Sequence, residues 1–340
     1  MGQTESETGG TVHYLWHRIS TPVMEKETPK RKPARLHRIY RAPGLDFDPE
    51  QNISELDRAE FFLVNELTYT PDGKLISEKE FDDQGNVLQE VKNEYNEKGE
   101  LIHHELFSDG VQAENSTYQY NEKGKVIEER QNFDEGFPVI RRFVYDEQDR
   151  LIELISEDDE GELSEREVYT YSTDFPDKIV KLVKYDEDNK PAHEEESVYE
   201  SETDEDGKVT PRLKQITARD LVYDTLRRTD YYDAQNREDQ IAQVSYNRAG
   251  KTTEVIYIVY DESGNVIEER IESVNAAENI EFYYVRDEHG RILEEVRRQK
   301  DKILLKINRR FSVENYVELF SFRSAVSGVY LQFSEFEFYD

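Results

Sequence analysis

His13 and His17, in the stretch HYLWH, stand four residues apart, the spacing at which one helix face can hold a metal ion. No acidic third ligand lies beside them, and so short a run makes a poor helix, so no metal centre is expected there. His103 and His104 are adjacent in a segment that reads as a strand, so they point to opposite faces and cannot share one ion. The acidic runs SEDDEGE from Ser156 and ETDEDG from Glu202 offer the carboxylates and carbonyls that Ca²⁺ prefers. An EF-hand loop counted from Asp204 would need glycine where Val209 stands, so these runs read as solvated turns with at most weak cation binding. With 76 acidic residues, no single carboxylate pair stands out as a glycoside-cleaving acid and nucleophile. There is no nucleophile elbow, phosphate loop or dinucleotide fingerprint, and no cysteine for thiol or disulfide chemistry. The chain reads as a non-enzyme without a cofactor.

What recurs instead is a phrase. YNEKGELI begins at Tyr95, YNEKGKVI at Tyr120 and YDESGNVI at Tyr260. Around them an aromatic is followed by an Asp- or Asn-rich turn and then a mixed apolar and charged run. The glycines of these turns (Gly73, Gly85, Gly99, Gly110, Gly124, Gly136 and Gly161, with Asp149 filling one place) fall about a dozen residues apart, which suits a strand plus a tight turn. Asp or Asn can bond its own backbone, and glycine supplies the positive φ that ends the turn. The aromatics Tyr69, Phe81, Tyr95, Phe107, Tyr120, Phe133, Tyr145, Tyr185, Tyr246 and Tyr260 therefore mark corners, each expected to stack beside aromatics of neighbouring strands.

The chain divides into three stretches. Residues 1–60 form a basic, proline-containing N-terminal arm, read as extended, in which MEKETPKRKPARLHRIYR carries seven Lys and Arg; it would lie along the chain's own acidic surface. Residues 61–310 form the repeat array, less regular over 172–245, with Arg286 in an aromatic's place. Residues 311–340 form an aromatic cap, in which Val313, Tyr316, Val317 and Phe320 have the spacing of one face of a short helix. The fold class is all-β, a long antiparallel meander of hairpins.

The units resemble YD-repeats of the Rhs type, most closely YDEQDRLIE from Tyr145, YDESGNVIEE from Tyr260 and DEHGRILEE from Asp287; the likeness runs over roughly residues 65–300. A weaker likeness is to bacterial antitoxin- and immunity-like proteins with turn repeats. The resemblance implies long antiparallel sheets that coil into a shell around a polypeptide. Most corners here lack the family's following arginine, the chain is short, and no autoproteolysis box or toxin-like domain follows, so a partial trough or open sheet is the expectation.

Charge narrows the partners. The net charge of −32 repels nucleic acid and anionic membrane and attracts basic protein. No apolar run reaches the roughly 20 residues that a membrane helix needs, and MGQTESETGG lacks the features of a signal peptide. MGQTES fits the loose N-myristoylation pattern, too short to weigh much. The absence of cysteine suits a reducing compartment, so a cytoplasmic location is expected. Acids that recur with the rungs (Glu128, Glu129, Glu268, Glu269, Glu294 and Glu295) form the candidate partner surface. The leading expectation is an acidic scaffold, of bacterial immunity or antitoxin type, holding a basic protein. The alternatives are a subunit of a secretion, injection or surface assembly docking through sheet edges, and a carbohydrate-binding surface protein.

Overall fold

The computed structural model describes residues 33–45, 56–203 and 207–339. The strands are β1 (Ala34–Pro43), β2 (Phe62–Tyr69), β3 (Leu75–Phe81), β4 (Val87–Tyr95), β5 (Leu101–Ser108), β6 (Val111–Tyr120) and β7 (Val126–Phe133). There follow β8 (Val139–Tyr145), β9 (Leu151–Glu157), β10 (Leu163–Tyr171), β11 (Ile179–Tyr185), β12 (Pro191–Thr203), β13 (Val209–Asp220), β14 (Thr225–Tyr231) and β15 (Ile241–Tyr246). The last are β16 (Thr252–Tyr260), β17 (Val266–Ser273), β18 (Ile280–Arg286), β19 (Ile292–Gln299), β20 (Lys302–Phe311), β21 (Val317–Ser324) and β22 (Gly328–Phe338). Only single 3-10 turns, such as Ala234–Asn236, interrupt them among the described residues.

Each strand pairs antiparallel with the next in sequence, and β1 pairs with both β2 and β22. The 22-stranded meander is therefore a closed barrel, which corrects the expectation of a trough or open sheet. The strand that closes it comes from the basic arm: residues 34–43 are wall and Leu56 and Arg58 lie against the seam, while residues 1–32 and 46–55, with His13, His17 and the myristoylation pattern, lie outside the described residues. Part of ETDEDG, with Asp204, lies outside them too.

The expected helix over Val313–Phe320 is absent. Ser312 to Tyr316 make a corner, with Asn315 at a φ of 65°, and Val317 begins β21. The helical spacing was accidental. Both faces of this segment are apolar, so a period of two fits as well, and the partners on β20 and β22 decide for strand.

The turns fall on two rims. At the terminal rim, where Ala34 meets Phe338, lie the corners that follow even-numbered strands; at the far rim lie those that follow odd-numbered ones. The quoted phrases at Tyr95, Tyr120 and Tyr260 all belong to the terminal rim. In each, the Asx residue closes the turn. Asn96 Oδ1 accepts from the amides of Lys98 and Glu100 at 3.0 Å, and Gly99, at a φ of 77°, donates to Asn96 O. The register shifts by one residue at Tyr95, as a glycine bulge requires. Asp149 repeats the conformation at a φ of 61°, as its place in the spacing predicts.

Along each strand the side chains alternate between two faces. Following register partners from Ser116 through Gln131, Glu167, Glu195, Arg228, Glu269, Glu295, Phe322, Gln332, Asn65 and His104 leads round the ring and back to Ser116 without changing face. This face holds the more deeply covered ionic groups, such as Glu167, Asp230 and Glu295, whereas Lys92, Arg142 and Arg270 of the other are over 40% exposed. Side chains converge on the concave side of a curved wall, so we take this face as inner.

Few residues are fully buried. The largest apolar cluster, Leu56, Leu319, Leu331 and Phe333, sits on the outer face at the β21–β22–β1 seam, with Tyr40, Leu45 and Phe61 against it.

Candidate functional site

The corner aromatics turn out to have a different partner from the one expected. Tyr95, Tyr120, Tyr145 and Tyr171 each donate a hydroxyl hydrogen bond to a carbonyl at the start of the preceding strand: Leu75, Leu101, Val126 and Leu151, at 2.7–2.9 Å. Arg286, in the aromatic's place, does the same, its Nε donating to Val266 O at 3.1 Å. Tyr69 and Tyr260 hold equivalent terminal-rim places, and Tyr69 O accepts from the Tyr339 hydroxyl across the seam. Phe81, Phe107, Phe133, Tyr185 and Tyr246 stand at the far rim, and two of these pack under cations, Phe107 beneath Lys92 and Tyr185 beneath Arg166. Ring-on-ring stacking gathers instead at the seam, as in Tyr40 on Phe333 and His37 on Phe336. The ten aromatics divide equally between the two rims.

The six strand glutamates do not form one surface. Register places Glu128, Glu268 and Glu294 on the outer face and Glu129, Glu269 and Glu295 on the inner. Glu129 pairs with Arg141 at 3.0 Å, Glu294 with Lys306 at 2.6 Å and Glu295 with Arg309 at 3.3 Å; Glu269 accepts from the Tyr284 hydroxyl at 2.8 Å. Glu128 lies 3.6 Å from Arg142. These acids are largely neutralised within the wall. His103 and His104 face outward and inward and bond Asn115 and Asn93 respectively.

Acid without matching base collects on an arc of the far rim. The loops between β3 and β14 there read DDQGN, DG, DEGFP, DDEGE, DEDNK and LVYD, with Lys190 their one cation. Asp158 of the SEDDEGE run spends its carboxylate on its own turn, accepting from the amides of Glu160 and Glu162, while Asp159, Glu160 and Glu162 are exposed. Between these acids large apolar side chains stand in water: Phe137 is 82% exposed, Val222 64% and Val111 56%. Terminal-rim loops such as NEKGE, NEKGK and DEQDR mix both signs instead. Sequence reasoning missed this arc because it treated every corner as equivalent; the alternation of Tyr and Phe corners was the available signal.

A second feature lies on the inner face in the irregular middle of the chain. Glu195, Ala218 and Arg228 are in register across β12, β13 and β14. Alanine leaves room for Arg228 to cross β13, where Nη2 meets Glu195 Oε1 at 3.1 Å and Nε meets Asp230 Oδ2 at 2.9 Å. His193 Nε2 lies 3.4 Å from the same Glu195 oxygen. Asp230 is 5% exposed, and its Oδ1 has no hydrogen-bond partner. Burial pushes its carboxyl above the ordinary carboxylate range; Arg228 pulls it back, and the charge of Glu195 adds to the rise. On β10 burial drives the Tyr169 hydroxyl upward, and its bond to Glu167 adds to that. Burial also works against the Glu167 charge, but Lys184 and Tyr169 outweigh it and hold that carboxyl low.

No protein-family model matches the chain, and no curated protein does. Among solved structures, it is similar to a chain of the Photorhabdus luminescens Tc holotoxin pore carrying the TccC3 D651A mutation, at 11% identity and a TM-score of 0.39, covering 86% of this chain and 16% of that one. It is also similar to TcdB2-TccC3 lacking its hypervariable C-terminal region, at 11% identity and a TM-score of 0.31, covering 85% and 17%. A porin-like protein from Bacteroides uniformis matches at 12% identity and a TM-score of 0.30, covering 91% of this chain and all of that one. The chain spans about a sixth of the toxin chains it matches. We draw nothing on function from likenesses this slight.

Proposed function

We propose that the protein is a non-enzymatic acidic scaffold that docks a basic partner protein on the far rim. The observation that carries this is the interleaving, along one arc, of uncompensated carboxylates with exposed large apolar side chains. Charge of one sign steers an oppositely charged surface and speeds encounter, and apolar anchors supply affinity once it arrives. The narrower reading, a bacterial immunity- or antitoxin-type protein, rests on the sequence resemblance, and a cytoplasmic setting is compatible with the cysteine-free composition. Docking by strand addition finds little support, because every strand of the ring already has two neighbours.

The test is recovery of proteins from host extract on the immobilised chain at low and high salt. The native chain is expected to retain basic proteins at low salt and release them at high salt. The variant D159K/E160K and the variant F137D are each expected to lose them, while E97K/E122K, an equal charge change at the terminal rim, retains them. Equal recovery by all four would overturn the proposal.

A further inference from the structure

The acidic arc would bring a basic partner to the barrel mouth, but nothing in the arc distinguishes one cation from another. The inner network on β12–β14 does have that capacity. One guanidinium there already bridges two carboxylates, so the cluster carries more acid than base. The gap above Ala218 is what admits Arg228; a larger residue would fill it. Asp230 is nine-tenths covered and still holds an oxygen with no donor against it. An acceptor left in that state is costly, and a donor brought from outside would satisfy it. A planar guanidinium presents several N–H groups to such a carboxylate, where an ammonium presents a point charge.

Resting on the scaffold reading above, we propose that Asp230 and Glu195, with Arg228 holding them in place, form an inner-wall receptor for one arginine side chain of the basic partner. The far rim then attracts and the inner wall selects. Side-chain bonds here join strands or corners close together round the ring, as Arg228 joins Glu195 across β13.

The experiment is calorimetric titration of the full chain with a hexa-arginine peptide, and with hexa-citrulline as a neutral control of the same shape. The native chain is expected to bind hexa-arginine and ignore hexa-citrulline. D230N should weaken hexa-arginine at least tenfold. So should A218L, which closes the gap without altering charge, and circular dichroism melts of both should show that they remain folded. In D159K/E160K, affinity falls and adding D230N lowers it a further tenfold. Hexa-arginine bound equally by native, D230N and A218L chains would overturn the inner receptor and leave the far-rim reading standing. No binding to the native chain overturns the receptor too, and the extract experiment then judges the scaffold reading by itself.

Discussion

The rung of tyrosines along the terminal rim gives the most direct test of what the repeat is for. Tyr95, Tyr120, Tyr145 and Tyr171 each tie a corner to the start of the preceding strand through one hydroxyl. Replacing all four by phenylalanine keeps the ring and deletes only the bonds. Each is worth about 0.5–1.5 kcal/mol net, so the set is worth roughly 2–6 kcal/mol. Successive tyrosines lie two strands apart, roughly 10 Å, far enough for near-additivity. With unfolding entropy near 2.1 cal/mol/K per residue over roughly 300 ordered residues, the melting temperature should fall by about 3–10 °C in calorimetry. A second readout is alkaline. Burial pushes the ionisation of all four hydroxyls to higher pH, so they favour the folded chain, in full below the unfolded tyrosine value near 10. That contribution is lost as pH climbs through the folded values, so native stability should fall on this limb more steeply than that of the phenylalanine variant. Arg286 supplies the control: R286A should destabilise, and R286Y should restore the rung. A fourfold variant melting within 1 °C of native, with the same alkaline limb, would refute the rung as a fastening.

Other outcomes follow from single positions. L331A should cost about 2–5 kcal/mol by chemical denaturation, since Leu331 is fully buried at the seam. R38A removes contacts to Glu66 at 2.7 Å and Glu337 at 3.3 Å and should cost about 1 kcal/mol, whereas R38E should cost more and hasten protease cleavage next to β1. Gly85 has a φ of 84° and nothing within 4 Å of an added Cβ, so G85A should cost about 1–2 kcal/mol from backbone strain alone. Asp82 is held below the usual carboxylate value, first by the Asn86 side chain and then by backbone amides. Its stabilisation is present above the unfolded value near 3.9 and is lost as pH falls through the folded one, so D82N should flatten the acid limb of a pH–stability curve.

The corners were legible because each is local: an Asx residue, a glycine and a bulge within five positions. The sharing of rims was legible too, in the alternation of Tyr69, Phe81, Tyr95, Phe107, Tyr120 and Phe133, but only once hairpins are counted in pairs. Closure was not. β1 is basic and flanked by prolines, and its partners on β22 are nearly three hundred residues away at Glu335 and Glu337, where Arg38 and its neighbours find their charge. The acidic surface was misplaced for a related reason. A row such as Glu128, Glu129 looks unpaired in sequence, yet Arg141 and Arg142 oppose it on the next strand. The Asp230 network joins three strands through one alanine, and no spacing in the sequence marks it.

The distribution of burial explains why this ring needs its seam. At most junctions a hairpin holds two strands together, and backbone bonds, corner ties and cross-strand ion pairs suffice, even with both faces charged. Both faces carry ion pairs, such as Lys181–Glu194 on one and Arg141–Glu129 on the other. Between β1 and β22 there is no hairpin. Here the chain places its largest apolar cluster and its stacked rings, with Arg35, Arg38 and Arg58 against Glu335 and Glu337 around them. Were the seam to open, two strand edges would be bared to other chains. The hydrophobic core of this protein is therefore a clasp, concentrated where chain connectivity gives no help.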